Sequence, residues 1–263
     1  MVKSISIAFM IVSLLLSIGV PIIAAIYCRK KYKISFLNII VGAGIFILFA
    51  LVLEGTMNIY FLKTNFTTST ILDSNPWIYA IYGAFAAGIF EEAGRFLGFK
   101  LLLKGRIEKK DGIAYGIGHG GIEAIIIGGI PLIQSLYFSF LINAGTLNSS
   151  LGGKISKSIL DQISSSLTNA APYFFLISGV ERLLAFSIQI GLSMVVLYGI
   201  KSRKHRYLLY AILIHALIDF PAALFQKGTI SNVWIVEGIC AVAVLISYFF
   251  VKNWDEIYKN NNM

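Results

Sequence analysis

Long apolar runs alternate with short polar connections along this chain, and the pattern predicts its helices. Runs long enough to cross a bilayer as a helix, about 20 residues, occur seven times, at 4–27, 35–55, 77–99, 112–142, 171–199, 207–225 and 232–251. Because lipid offers no partner for unpaired backbone groups, each run should be helical. We therefore expect an all-α, polytopic membrane bundle of about seven transmembrane helices, forming a single integral membrane domain over residues 1–263.

The composition supports a membrane protein and the charge pattern predicts its orientation. Hydrophobic residues make up 57% of the chain and charged residues only 13%, whereas about a quarter of a soluble domain is charged. The basic residues behind the net charge of +9 cluster mainly at 29–33, 100–110 and 201–206. The positive-inside rule then places the N-terminus outside and the C-terminus in the cytoplasm. No basic surface with interleaved aromatic residues occurs, so nucleic acid is not an expected partner.

Two segments depart from simple spanning helices. The fourth run is too long for one straight span, and the sequence 128–131, Gly-Gly-Ile-Pro, predicts a break or kink there. Between 143 and 169 the residues Ile155, Ile159, Ile163 and Leu167 recur every fourth position, which predicts a short amphipathic helix at the outer surface. Cys28 directly follows the first apolar run and Cys240 lies inside the last, so the two cysteines suggest neither a disulfide framework nor a metal-binding pair.

Three ionisable side chains lie within the third apolar run. They are Glu91, Glu92 and Arg95, in the sequence Phe-Glu-Glu-Ala-Gly-Arg-Phe. An ionisable group inside a membrane segment is costly, so such groups generally mark a functional site. The stretch is therefore the first candidate for chemistry in this chain.

Other ionisable side chains lie at the same depth on two further helices. Glu91, His119 and His215 are each eight or nine residues from the charged cytoplasmic end of their own helix, which is roughly 12–14 Å at the helical rise. Glu123 and Asp219 each follow one of these histidines by four residues, or one turn. We therefore expect the third, fourth and sixth helices to surround one polar cavity.

Small residues lie on the turns beside these side chains. One stripe on the third helix contains Ala80, Ala84, Gly88 and Glu92, and a stripe on the fourth contains Gly112, Gly116 and Gly120. Small residues at every fourth position let two membrane helices approach closely. Both stripes therefore predict close helix contacts beside the polar cavity.

The side chains of this layer are those needed to hydrolyse a peptide bond without a serine or cysteine nucleophile. A buried carboxylate can take a proton from water. A second carboxylate nearby shifts the pKa of the first, and Arg95 can keep one of the two ionised. Two histidines can orient the water and donate hydrogen bonds to the oxyanion. The residues thus point to an intramembrane endopeptidase that cuts membrane-anchored or hydrophobic polypeptides near the cytoplasmic leaflet.

The ordered motifs resemble a known superfamily. Glu91-Glu92-x-x-Arg95, then Tyr115 and His119, then His215-x-x-x-Asp219 are similar to the CAAX-processing and bacteriocin-immunity proteases of the glutamic intramembrane type. Glu-Glu-Ala-Gly-Arg-Phe and 118–123, Gly-His-Gly-Gly-Ile-Glu, resemble its YhfC-like branch. The matching helices are approximately 76–103, 111–142, 171–199 and 207–225, and the likeness implies a multi-pass protein of the bacterial plasma membrane.

The resemblance implies a role for each matching residue. Glu91 would be the general base, Glu92 its support, and His119 with His215 would position water and stabilise the oxyanion. Asp219 stands where many relatives have Asn, Arg95 follows the glutamates one residue earlier than usual, and Tyr115 replaces a common Phe. Glu123 is a further supporting candidate, which its position on the His119 helix face suggests rather than the resemblance.

Two alternatives remain open at the level of sequence. The preferred mechanism needs no cofactor, but zinc is possible, with ligands drawn from the set Glu91, Glu92, His119, Glu123, His215 and Asp219. The other alternative is a proton-coupled transporter, in which the same side chains would form a proton relay. Away from the layer, Glu181 and Arg182 are expected to form a structural ion pair, and Glu54 and Glu237 are expected near the outer boundary.

Overall fold

The computed structural model describes residues 1–260 as a series of helices joined by short connections. We number them α1 to α11 in chain order. Their bounds are α1 Ser4–Tyr32, α2 Phe36–Thr64, α3 Phe66–Ser74, α4 Pro76–Leu97, α5 Lys109–Asn143, α6 Leu147–Leu151, α7 Lys157–Asn169, α8 Pro172–Lys201, α9 Arg206–Gln226, α10 Val233–Lys252 and α11 Trp254–Asn260. Helix α4 continues through a π-helical turn at Gly98–Leu102.

Six helices are long and apolar enough to cross a membrane, namely α1, α2, α5, α8, α9 and α10. The remaining predicted run, the third, is also helical, as α4, but Glu91, Glu92 and Arg95 make it less apolar. Residues 1–260 contain no strand. The chain is thus an all-helical, multi-pass integral membrane protein, while the direction in which it crosses the membrane remains a prediction.

Asparagine side chains cap the starts of three helices, α3 at Asn65, α4 at Asn75 and α10 at Asn232. Asn75 Oδ1 accepts hydrogen bonds from the backbone N–H groups of Trp77 and Ile78, at 3.0 and 3.2 Å, and Pro76 follows at the first helical position. Asn232 Oδ1 similarly accepts from Trp234 N. All three are N-caps, which satisfy backbone donors that the first turn leaves unpaired.

Helix α5 continues through the predicted break without ending, and a kink at this point remains a prediction. A π-helical stretch, Ala124–Gly129, separates two α-helical parts, and Pro131 lies at the start of the second. A π-helical turn changes the hydrogen-bond pattern locally without ending the helix. Pro131 has no N–H to donate to the preceding turn of the helix, and the π-helical stretch lies in that turn.

Residues 1–23 and 123–183 form one of two compact units. Its core contains Val2, Met10, Leu132 and Leu167. Helix α7 is amphipathic as predicted, but its most buried residue is Leu160, whereas Ile159 is 50% exposed. The predicted residues Ile163 and Leu167 thus face the core, while Leu160 takes the place predicted for Ile159.

The second unit comprises Ala24–Ile122 and the chain from Leu184 onwards, and close helix contacts dominate it. Helix α4 packs on α9 at Gly88, where an added Cβ would lie 2.9 Å from the Ile212 carbonyl oxygen. The other predicted stripe packs α5 against α8: an added Cβ at Gly116 would lie 2.6 Å from Ile190 Cα. Both predicted seams are thus close helix contacts. The expectation of a single domain over the whole chain remains a prediction.

Candidate functional site

The second unit brings together the ionisable side chains of α4, α5 and α9. Glu92, Arg95 and His119 are fully buried, and His215 and Glu91 are only 4% and 7% exposed. Burying so many ionisable groups is tolerated only where they pair with one another. The cluster that the sequence predicts from matching depth is therefore a real cluster in space.

Two carboxylate–imidazole pairs form the centre of the cluster. Glu91 Oε2 lies 2.9 Å from His119 Nε2, and Glu92 Oε1 lies 2.8 Å from His215 Nδ1. The adjacent glutamates of α4 thus face different helices, Glu91 towards α5 and Glu92 towards α9. The two carboxylates therefore have different partners and can take different roles within one site.

Arg95 lies between the two pairs. Its Nε is 3.3 Å from Glu92 Oε2, whereas its Nη2 is 4.0 Å from Glu91 Oε2 and 3.2 Å from His119 Nε2. The sequence places Arg95 on the face of Glu91, one turn away, but the structure sets its guanidinium closer to Glu92. Both positions are within reach of Arg95 along the helix, but its Nη1 and Nη2 donate to Gln189 and Ser193 of α8, which leaves Nε towards Glu92.

Gln189 and Ser193 of α8 complete the cluster and were missed by sequence reasoning. Gln189 Nε2 donates to Glu91 Oε2 at 3.0 Å, and Arg95 donates to Gln189 Oε1, to the Gln189 backbone oxygen and to Ser193 Oγ. Both residues are buried, at 4% and 0% exposure. The available signal was a lone glutamine within an apolar run, one turn before a serine.

Asp219 and Tyr115 lie at two different edges of the cluster. Asp219 Oδ2 is 3.4 Å from His215 Nε2, and its side chain is 40% exposed, so this edge is open. Tyr115 is fully buried, stacks on the His119 ring with a centroid distance of 6.1 Å and packs on Phe99. Within residues 1–260 its hydroxyl has no hydrogen-bond partner. The contacts of Tyr115 are therefore those of a packing aromatic that fixes the His119 ring.

Glu91, His119 and Glu123 form a Glu-His-Glu group compatible with a metal ion. One ligand atom of each lies within 4.8 Å of the others. Glu123 follows His119 by one turn at the end of the α-helical stretch Lys109–Glu123, so the helix itself sets their spacing. Two carboxylates and one imidazole are residue types that ligate zinc, and three is the number of protein ligands in a catalytic zinc site.

Outside the layer, one predicted ion pair is confirmed, and the position of Glu54 near the outer boundary stays a prediction. Glu181 and Arg182 form the expected ion pair, and Arg182 Nη1 also lies 3.3 Å from Glu123 Oε1. Glu54 accepts a hydrogen bond from Asn58 at 3.1 Å, and it lies within electrostatic range of Glu91. The chain thus brings one more carboxylate near the cluster than the sequence analysis placed there.

Comparisons with known proteins agree with these observations. A family model described as YhfC intramembrane metalloprotease matches residues 15–240. The chain is 39% identical over 253 residues to the Uncharacterized membrane protein YhfC of Bacillus subtilis (strain 168), which covers 96% of this chain and 98% of that relative. No solved structure matches. The resemblance to the wider CAAX-processing superfamily remains a prediction, but the chain belongs to the YhfC family, which is described as an intramembrane metalloprotease family.

Proposed function

We propose that this chain is an intramembrane endopeptidase that hydrolyses peptide bonds of membrane-anchored or hydrophobic polypeptides. The observation that carries the proposal is a buried glutamate, Glu91, held in place by two side chains from two other helices. The description of the family as an intramembrane metalloprotease supports proteolysis. It does not favour the proton-coupled transporter that the sequence left open.

Glu91 is the group that takes a proton from the attacking water. Its Oε2 lies within hydrogen-bond distance of His119 Nε2 and accepts from Gln189 Nε2. Within the described residues its Oε1 has no hydrogen-bond partner, and the side chain is 9% exposed. One oxygen is therefore fixed and the other is available to a water molecule, which is the geometry of a positioned general base.

His215 is suited to donate hydrogen bonds to the substrate. Its Nδ1 faces the buried Glu92, and its Nε2 faces Asp219 at the open edge of the cluster. A donor aimed at this edge can stabilise the oxyanion that forms when water attacks a carbonyl. Glu92 orients the ring, while Arg95 positions Glu92 and supplies positive charge near both carboxylates.

A metal ion fits the site, and its ligands would be Glu91, His119 and Glu123. Zinc suits this donor set and, when bound, supplies a Lewis acid that makes coordinated water a nucleophile at neutral pH. Gln189 donates to the Glu91 oxygen and so orients that ligand, as partners of metal ligands commonly do. The site can also act without a metal, because the guanidinium of Arg95 already supplies positive charge there, with its Nη2 3.2 Å from His119 Nε2. Glu91 is essential in both forms.

The variant Glu91→Gln tests the proposal. It keeps the shape of the side chain but removes the proton acceptor, so it should fold and abolish hydrolysis. Membrane proteomes of cells with the wild-type and variant proteins are compared for uncut protein termini, and the candidate substrates are then incubated with both purified proteins. Glu256→Gln, the same change at an exposed tail residue, serves as the control and should cleave normally. Undiminished cleavage by Glu91→Gln would refute the proposal.

A further inference from the structure

A cavity of about 690 Å³ lies in the second unit, at the ends of several membrane helices. Tyr32 ends α1, Lys109 begins α5, Lys201 ends α8 and Lys252 ends α10, and all four line the cavity. Helices that end together place their terminal residues at one face of the membrane. The cavity therefore lies in the interfacial layer, where lipid headgroups are found. Its residues take no part in the Glu91 cluster.

The lining combines positive charge with an apolar wall. Four lysines, at positions 109, 110, 201 and 252, outnumber two carboxylates, Glu108 and Asp255. Glu108 is 2.8 Å from Lys110 Nζ, so one of the two carboxylates already has a partner. Ile34, Ile113 and Val251 supply apolar surface. A ligand with a negative headgroup and a hydrocarbon part complements both.

Two of the lysines are held in place at the cavity. Lys109 Nζ donates to the Lys252 backbone oxygen at 3.2 Å, which links α5 to α10. Lys201 Nζ lies 4.3 Å from the centroid of the Tyr258 ring. Positioned ammonium groups lose less freedom on binding an anion than freely moving ones. The cavity volume also falls within the ~300–1,000 Å³ usual for ligand sites.

We propose that this cavity binds an anionic glycerophospholipid, with its phosphate among the lysines and its acyl chains along the apolar wall. Basic pockets between membrane helices on the cytoplasmic side commonly bind such headgroups. The predicted orientation of the chain places the cavity on that side.

Cys28 reports on occupancy, because it also lines the cavity and is only partly exposed, whereas Cys240, the other cysteine, is buried. The purified chain is placed in nanodiscs of phosphatidylcholine alone or with phosphatidylglycerol, and alkylation of Cys28 is followed by mass spectrometry. Phosphatidylglycerol should slow alkylation, and inorganic phosphate or glycerol phosphate added to phosphatidylcholine discs should not. Equal protection by inorganic phosphate would indicate a phosphate site and overturn the lipid assignment.

A matched pair of variants separates this site from a general charge effect. Lys201→Gln/Lys252→Gln removes two charges from the cavity, and Lys154→Gln/Lys157→Gln removes two exposed charges elsewhere. Since each lysine near a membrane surface contributes about fivefold in affinity, the cavity variant should need roughly tenfold or more phosphatidylglycerol for the same protection. The control should behave as the wild type, and equal behaviour of the two variants would refute the proposal.

Native mass spectrometry gives a second readout that does not use the thiol. Wild-type protein should retain anionic lipid after purification, and the cavity variant should retain less than the control. If phosphatidylglycerol neither slows alkylation nor remains bound to the wild type, the cavity is not a lipid site.

Discussion

Replacing Gly88 by alanine should separate α4 from α9 and disturb His215. An added Cβ would lie 2.9 Å from the Ile212 carbonyl oxygen, and an ordinary contact begins at 3.4 Å. The helices must therefore move apart by about 0.5 Å, since a backbone oxygen cannot rotate away. Overpacking of this kind costs about 1–3 kcal/mol, and the helical preference of alanine over glycine returns roughly 0.5–1 kcal/mol. The two ranges together give an expected net loss of about 0–2.5 kcal/mol, centred on ~1 kcal/mol.

Gly83→Ala is the matched control on the same helix. An added Cβ there meets nothing within 4 Å, so only the helical preference acts and the variant should gain about 0.5–1 kcal/mol. Both purified variants are unfolded in mild detergent by heat and by added sodium dodecyl sulfate. At roughly 2–4 °C per kcal/mol for a chain of this size, the two melting temperatures should lie several degrees apart on either side of the wild type.

The variant also tests whether helix spacing controls chemistry. The added Cβ would lie 3.6 Å from His215 Cβ, so Gly88→Ala should slow hydrolysis while Gly83→Ala should not. A Gly88→Ala protein as stable and as active as Gly83→Ala would show that the α4–α9 contact is looser than the structure indicates, and the reasoning would fail.

Three further outcomes are expected. Gln189→Leu removes a donor to Glu91 and an acceptor for Arg95, so hydrolysis should fall by about 10–100-fold, with Gln162→Leu on the exposed side of α7 unaffected; equal activities would exclude a role for Gln189 in orienting Glu91. Arg95→Lys keeps the charge but cannot make the same set of bonds, and unfolding measurements should show a loss of about 1–3 kcal/mol, which an unchanged melting curve would contradict. Chelation should abolish hydrolysis and added zinc should restore it, with about one zinc per chain by elemental analysis; full activity without metal would instead favour the form in which Glu91 acts alone.

Much of the fold follows directly from the sequence, because lipid makes hydropathy a strong signal. Each of the seven apolar runs corresponds to a helix in the structure, with helix ends mostly within a few residues of those predicted. The largest difference is in α2, which continues to Thr64 rather than ending near 55. Its last part carries polar residues that hydropathy assigns to a loop, yet Asn58 accepts a hydrogen bond from Tyr82 of α4 at 2.7 Å. Tertiary contacts of this kind cannot be read from a single helix.

The site was only partly predictable, for a similar reason. Charged residues in apolar runs are conspicuous, so Glu91, His119 and His215 could be found and placed at one depth. Gln189 is uncharged and costs less to bury. A single glutamine in an apolar run is therefore a weak sequence signal, and its contacts with Glu91 and Arg95 could not be predicted. The roles of these residues in catalysis remain predictions, which the variants above test.

The glycine seams explain how the site can hold buried charge. An added Cβ at Gly120 would lie 2.9 Å from Gln189 Cβ, and one at Gly116 would lie 3.1 Å from Ser193 Oγ. These two glycines therefore lie against the residues of α8 that bind Arg95, as Gly88 lies against His215. Side-chain hydrogen bonds need donor and acceptor within about 3 Å, so helices spaced by larger residues would leave Arg95 and the two glutamates with only one another as partners. Close packing and chemistry thus depend on the same positions. A stripe of small residues beside a buried charge marks the helix face at which a neighbouring helix comes close enough to supply a partner.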